Sequence, residues 1–259
     1  MKAHSAQQQQ LRSGVLVLHM PAVGSTSTRL KELIVGGQLN GPTLLVTDHQ
    51  TAGRGTRSRS WISAPPEQTK AGMRPRDLAL SYAVPLPREA DPRTTLAIGA
   101  LLADAITRAT RIPLCVKWPN DLLCGDPPRK VGGILVEQTH GWLLIGVGIN
   151  VNSRAAEFPA DLAPALTTLT TVSRKALDVP LLQHAIADAL DALPELDIER
   201  WLTRFRELDR TAGSRYTLNI NGRPVAVTAE SVADSGELLL RDVLGGEHQI
   251  TAFTELERA

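Results

Sequence analysis

Aromatic side chains are scarce: four Trp, three Phe and two Tyr make up 3% of 259 residues. Surfaces that bind single-stranded nucleic acid set stacking aromatics among basic residues, and this chain has few to offer. An excess of one charge is also missing. The 28 Lys and Arg are matched by 27 Asp and Glu, for a net charge of +1, whereas nucleic-acid binders show a global or one-sided basic excess. Cysteine is limited to Cys115 and Cys124. Two residues make no disulfide framework and lack the multiplicity of a zinc site, so they read as reduced thiols near a buried strand. No apolar run approaches the roughly 20 residues of a membrane helix. Val15–Leu18 is too short for the core of a secretory signal, and the expectation is a cytoplasmic protein. What is present is ordinary for a globular chain, with 42% hydrophobic and 21% charged residues. The length suits one large domain, or one large and one small.

The stretch from His49 to Trp61 stands out against this background. Arg54, Arg57 and Arg59 alternate with small residues, and Gly53 and Gly55 favour a loop over helix or strand. Such a loop can surround an anion with backbone N–H groups and guanidinium forks, which take both oxygens of a carboxylate or phosphate. A solvated basic loop, or a patch touching nucleic acid non-specifically, would look the same in isolation.

Around it the pattern alternates strands and helices. Residues 1–13, with glutamines at 7–10, read as a disordered tail. Val15–Met20 and Thr43–Thr47 read as strands. A helix from the hydroxyl cluster Ser25-Thr26-Ser27-Thr28 to about Val35 lies between them, closed by Gly36-Gly37. Those hydroxyls suit helix capping first and ligand binding second. The run from Ala64 to Asp77, with Lys70, Arg74 and Arg76, lacks periodicity and reads as a mobile insertion. Leu78–Val84 is a strand. Thr94–Thr110 carries an apolar stripe, Ile98, Leu101, Leu102, Ala105, Ile106 and Ala109, at helical spacing. Leu114–Trp118, Val131–Glu137 and Trp142–Val151 read as strands, the last two rich in glycine, which marks close approach of a ligand or backbone. Phe158–Leu169 is loop, and Pro180–Leu193 and Ile198–Leu208 are helices. From Thr211 onward apolar residues alternate with polar ones between turn signals at Asn221-Gly222, Ser235-Gly236 and Gly245-Gly246, predicting four or five strands.

Five clusters occur in order: Ser25-Thr26-Ser27, Gln50-Thr51-Ala52-Gly53-Arg54-Gly55, Lys117-Trp118-Pro119-Asn120-Asp121, Lys130-Val131-Gly132-Gly133-Ile134-Leu135 and Gly148-Ile149-Asn150-Val151-Asn152. With them the chain resembles the biotin–protein ligases over roughly residues 14–259. The resemblance implies an α+β fold, a mixed sheet with flanking helices followed by a small SH3-like β-barrel. The catalytic domain would span 14–208 and the barrel 209–259. It implies ATP and biotin as substrates with Mg²⁺, biotinyl-5′-AMP as intermediate, and transfer to a lysine of a biotin carboxyl carrier domain of a carboxylase. A monomer or weak homodimer is expected. About 13 residues before the first strand are too few for a helix-turn-helix domain, so no specific DNA binding is expected.

By resemblance, Arg54 and Lys130 are the catalytic candidates. Both would hold the reacting carboxylate and α-phosphate. Ser25, Thr26, Ser27, Gln50, Gly53 and Gly133, with those two cations, would bind biotin. Arg57, Arg59, Trp61, Asn120 and Asn150 would join Arg54 and Lys130 at the nucleotide. Trp118 reads as core. Asp121 would orient Lys117 or Lys130, or help bind the metal. Two departures stand in the arginine loop, Thr56 for an arginine and Ser58 for a glycine, and Ser27 replaces an asparagine. Loss of an arginine at 56 implies looser retention of the intermediate, unless Lys70, Arg74 or Arg76 substitutes. Rival readings are a lipoate or octanoate ligase or transferase of the same fold, whose usual R-R-x-x-G-G-x-x-x-H-D stretch is missing here, and a non-catalytic nucleic-acid binder.

Overall fold

A computed structural model describes residues 7–10, 14–56, 59–69, 72–86, 88–220, 222–251 and 256–258, with backbone alone at 7–10, 72–73 and 256–258. The chain begins with strands β1 (Gln7–Gln10) and β2 (Leu16–Met20), helix α1 (Thr26–Val35) and strand β3 (Thr43–Thr47). Two short ribbons follow, β4 (Gly53–Arg54) with β5 (Ser60–Trp61), and β6 (Glu67–Thr69) with β7 (Gly72–Arg74). Then come β8 (Leu78–Pro85), α2 (Thr94–Thr110), β9 (Leu114–Lys117), β10 (Asp121–Cys124), β11 (Arg129–Thr139) and β12 (Trp142–Ile149). Helices α3 (Leu169–Ser173), α4 (Val179–Asp191) and α5 (Ile198–Leu208) precede the C-terminal strands β13 (Arg215–Ile220), β14 (Arg223–Val232), β15 (Leu238–Asp242), β16 (Glu247–Ile250) and β17 (Leu256–Arg258).

Eight strands form one mixed sheet in the order β1-β2-β3-β8-β12-β11-β10-β9. Only β2 and β3 run parallel, because α1 connects them as a crossover. Side chains alternate between the two faces of the sheet. One face carries Leu44, Val46, Leu80, Tyr82, Ile134, Ile145 and Val147, buried in the main core with α2, α4 and α5. On the other face α1 lays Leu30, Leu33 and Ile34 over Leu18, Leu45, Ala83 and Leu144. That helix has only ten residues and reaches only part of its face. The part beyond it holds the site described below.

Several expectations are corrected. The glutamines at 7–10 are not a disordered tail but an edge strand, Gln7–Gln10 pairing antiparallel with Leu16–His19. Their backbone groups satisfy the open edge of β2, a role that side-chain polarity does not disclose. The segment 64–77 is not a free insertion either. Its ribbon is tied at both ends, by Ala64 and Asp77, each buried. The Asp77 carboxylate accepts from Val151 N (2.8 Å), Ser153 N (3.2 Å) and Ala64 N (3.4 Å), and also from the Ser153 hydroxyl. Lys70 lies outside the described residues. Strand β10 and helix α3 were not expected from sequence, being too short for periodicity to show.

The C-terminal strands form an open antiparallel sheet, β16-β15-β14-β13-β17, rather than a closed barrel; among the described residues β16 and β17 do not pair. This sheet shares the main core, through Tyr216, Leu218, Val227, Ala229, Leu238 and Leu240. Trp118 is the hinge pin, buried as expected of a core residue. Its indole N–H donates to Gly236 O (3.0 Å) and its backbone N–H to Thr211 Oγ1 (2.7 Å).

Two predictions follow from the anchoring of 64–77. Asp77→Ala leaves buried N–H groups unpaired and is expected to destabilise the chain by about 2–4 kcal/mol in denaturant titrations. The Arg76 guanidinium, hydrogen-bonded to Glu157 (2.6 Å), holds that carboxyl below the usual carboxylate range. A depressed folded-state pKa contributes stability above the unfolded-state pKa and loses it as pH falls through the folded one. Wild type should therefore melt above Glu157→Gln at neutral pH, and the two melting temperatures should converge on acidification.

Candidate functional site

The uncovered part of the sheet is floored by residues with little or no side chain. Paired positions run across it as Asp121, Gly133, Gly148, Ala79 and Thr47, with Lys117 at the edge, and the next row, Leu135, Gly146, Ser81 and Leu45, passes under the first turns of α1. Over this floor lies a cleft of about 1220 Å³. Its glycines are required by close approach. A Cβ on Gly148 would lie 2.4 Å from the Trp61 ring, and one on Gly146 would lie 2.6 Å from Ser27 Oγ.

Lys130 reaches the cleft because of a bulge. Leu122 opposes Gly132 but Leu123 opposes Lys130, so Val131 is an extra residue in β11. An extra residue re-aims the side chains that precede it. Without it Lys130 would share a face with Gly132 and the main core; with it Lys130 joins Gly133, Leu135 and Glu137 on the cleft face. Its Nζ sits 2.6 Å from Asp121 Oδ1. Of the two lysines expected for Asp121, Lys130 forms this ion pair. Lys117 lies over the Tyr216 ring, 5.4 Å from its centroid.

A polar corner closes the end of the cleft nearest α1. The Ser25 hydroxyl caps the helix, accepting from Thr28 N at 3.4 Å. Gln50 Oε1 accepts from both Thr26 N (2.8 Å) and Thr26 Oγ1 (3.1 Å). The buried Ser81 hydroxyl bonds Thr26 Oγ1 (2.7 Å) and Ser27 Oγ (2.9 Å). Ser81 was missed in the sequence. It lies inside an otherwise apolar strand, and that isolation was the signal.

The arginine stretch is a tight ribbon. Gly53 pairs with Trp61 and Arg54 with Ser60. Close approach, not a special backbone angle, accounts for Gly53: a Cβ there would meet Trp61 O at 2.5 Å. The ribbon folds the Trp61 indole onto Gly148 and points Arg54 across to β11, where it meets Glu137 at 3.0 Å. Glu137 is a second residue that carried no assignment in the sequence. Arg59 lines the cleft and is exposed; Arg57 and Ser58 lie outside the described residues.

Asn120 and Asn150 both line the cleft, and each donates an amide N–H to main chain. Asn120 Nδ2 donates to Ile134 O (2.8 Å) and Asn150 Nδ2 to Thr167 O (3.2 Å). Asn120 thereby ties the turn before β10 to β11, and Asn150 ties the segment at Thr167 to the end of β12. Ser25, Thr26, Ser27, Gln50, Arg54, Arg59, Trp61, Asn120, Asp121, Lys130, Gly133 and Asn150 thus converge on one cleft, and Gly53 lines a recess of about 810 Å³ opening beside it. Gly148→Ala should expel Trp61 from the floor, red-shifting tryptophan emission and raising indole quenching by acrylamide.

A family model described as the biotin/lipoate A/B protein ligase family matches residues 20–153. The bifunctional ligase/repressor BirA of Bacillus spizizenii is 32% identical over 179 residues, 67% of this chain. The chain spans only 52% of that relative's length. The biotin–[acetyl-CoA-carboxylase] ligase of Paracoccus denitrificans is 30% identical over 237 residues, covering 85% of this chain and 92% of its own. In structure, the biotin protein ligase of Aquifex aeolicus in complex with biotin and ATP superimposes with a TM-score of 0.72 at 25% identity, over 94% of this chain and 99% of that one. By this match and by the cleft it shapes, the chain belongs to the biotin/lipoate A/B protein ligase family.

Proposed function

We propose that the chain is a biotin–protein ligase. It joins biotin and ATP into biotinyl-5′-AMP and then passes the biotinyl group to a lysine of a biotin carboxyl carrier domain. The observation that carries this reading is the meeting, in one cleft, of two cations 76 positions apart, Arg54 and Lys130, with a corner built from hydroxyls and an amide.

In the first step a biotin carboxylate oxygen attacks the α-phosphorus of ATP; the new O–P bond forms as the bond to pyrophosphate breaks. Two anions must be brought together, and positive groups held in place offset their repulsion. Arg54 suits the carboxylate because its fork takes both oxygens, and Lys130 suits the phosphoryl oxygens as a compact charge. In the second step a neutral lysine amine of the carrier attacks the mixed anhydride carbonyl and AMP leaves with the electron pair. Arg59, Trp61, Asn120 and Asn150 are assigned to the nucleotide wall, and Ser25, Thr26, Ser27 and Gln50 to the ring end. We place the reaction in the cytoplasm, where ATP and carboxylases meet.

The polar corner favours biotin over lipoate or octanoate. A urea brings N–H donors and one carbonyl acceptor. Gln50 Oε1 is taken by Thr26, which leaves its amide N–H groups to donate; the Thr26 hydroxyl hydrogen is spent on Gln50, so Ser81 donates to Thr26 and Ser27 to Ser81, and these hydroxyls keep lone pairs that can accept from urea N–H groups. A dithiolane or an alkyl chain would offer no acceptor to the Gln50 amide N–H groups and no donor to the hydroxyl lone pairs. Among the described residues no group of three or more metal-ligating side chains exists. Asp121 is ion-paired to Lys130. The residues therefore do not make a resident magnesium site, and Mg²⁺ would arrive with the phosphates of ATP.

Pure protein should release pyrophosphate with ATP, magnesium and biotin, and not with lipoate or octanoate in place of biotin. Release only with lipoate or octanoate would move the assignment within the family. Lys130→Ala should slow release by about 10²–10³-fold, equivalent to about 3–4 kcal/mol. Thr56→Arg should slow dissociation of biotinyl-5′-AMP from the protein, measured by stopped-flow fluorescence; an unchanged rate would refute the role given to position 56.

A further inference from the structure

Arg54 does not project into the cleft alone. Both of its terminal nitrogens donate to the Glu137 carboxylate, Nη2 to Oε1 at 3.0 Å and Nη1 to Oε2 at 3.3 Å, across 83 positions of sequence. The two residues reach each other from different directions. Arg54 comes from the ribbon that also seats Trp61, and Glu137 from the same strand face as Lys130, Gly133 and Leu135. Glu137 is mostly buried, with 24% of its side chain exposed, while Arg54 keeps 42%. A carboxylate fixed in a sheet therefore holds the end of a more exposed arginine.

A guanidinium carries five N–H donors on three edges. The end-on pair with Glu137 uses one N–H from each terminal nitrogen. It leaves the edge formed by Nε–H and the outer N–H of its neighbour, spaced to take a second carboxylate or a phosphate. Among the described residues Nε has no protein partner. We propose that Glu137 is a positioning residue, which fixes Arg54 end-on so that the free edge of the guanidinium receives the substrate carboxylate. The inference rests on the ligase reading above and deepens it.

The opposite role is chemically reasonable and makes the inference testable. Were Glu137 merely a stand-in anion, it would compete with substrate for Arg54. Removing it would then tighten biotin binding and leave turnover equal or faster. As a positioning residue its removal weakens binding and slows the chemistry, because an untethered arginine loses its aim. Misplacement of a positioned group by about 1 Å costs on the order of 100-fold in rate.

Pyrophosphate release and calorimetric biotin binding, measured on the full chain with Glu137→Gln and Glu137→Asp, decide between them. Glu137→Gln keeps the shape and loses the charge and one acceptor. It should raise the KM and Kd for biotin and lower kcat by about 10–100-fold, with thermal melting close to wild type. Glu137→Asp, which keeps the charge, should recover part of the loss. In an Arg54→Ala background Glu137→Gln should leave the biotin Kd unchanged, since residues acting through one contact are non-additive. Tighter binding in Glu137→Gln, parameters equal to wild type, or an undiminished effect without Arg54 would each overturn the inference. Wild-type protein inert toward biotin would instead overturn the ligase reading, and this inference with it.

Discussion

The site depends on one face of one sheet being covered only in part. Helix α1 is ten residues long, and it buries Leu30, Leu33 and Ile34 against Leu45, Ala83 and Leu144. Beyond its reach the same face would expose β-sheet to water. Large apolar residues there would aggregate or attract other elements. The chain places Gly133 and Gly148 there instead, with Gly146 under the first turn of α1, and the missing side chains let the Trp61 ring and Ser27 close on the sheet as walls of the cleft. The opposite face is buried under α2, α4 and α5, and a close-packed interior resists deformation of the floor. A rigid floor is what a two-substrate reaction needs, because reacting atoms must be held near contact distance.

Charge is then added to this floor by two local devices. The extra residue at Val131 turns Lys130 onto the cleft face, and the Gly53–Trp61 ribbon carries Arg54 over it. Each cation meets a carboxylate of its own, Asp121 for Lys130 and Glu137 for Arg54. These pairs are partly solvated and contribute little to folding. Their value is geometric: a long flexible cation is held at one end and remains available to an anionic ligand.

Much of the fold was legible because its signals are periodic. The stripe from Ile98 to Ala109 gave α2 its observed limits, and alternation after Thr211 gave the C-terminal strands. The residues of the cleft were legible through five ordered clusters, three of them combining glycine with a polar or charged group. What stayed hidden, the isolated Ser81 of β8 apart, has no local signature. Polar glutamines form an edge strand because a neighbouring backbone needs partners, which only the sheet order reveals. Asp77 reads as one more charge in an irregular segment until its carboxylate is seen gathering N–H groups from residues over 70 positions away. The bulge at Val131 is a property of pairing and not of composition. Ser81 and Glu137 acquire roles only through Thr26, Ser27 and Arg54. The open C-terminal sheet is stabilised by sharing the main core around Trp118, so it need not close on itself.

The most direct measurement is mass spectrometry of a purified biotin carboxyl carrier domain after incubation with this protein, ATP, magnesium and an equimolar mixture of biotin, lipoate and octanoate. The account predicts that the carrier gains one biotinyl group on a single lysine and nothing else. A carrier that gains a lipoyl or octanoyl group, or that stays unmodified while biotin is bound, would contradict it.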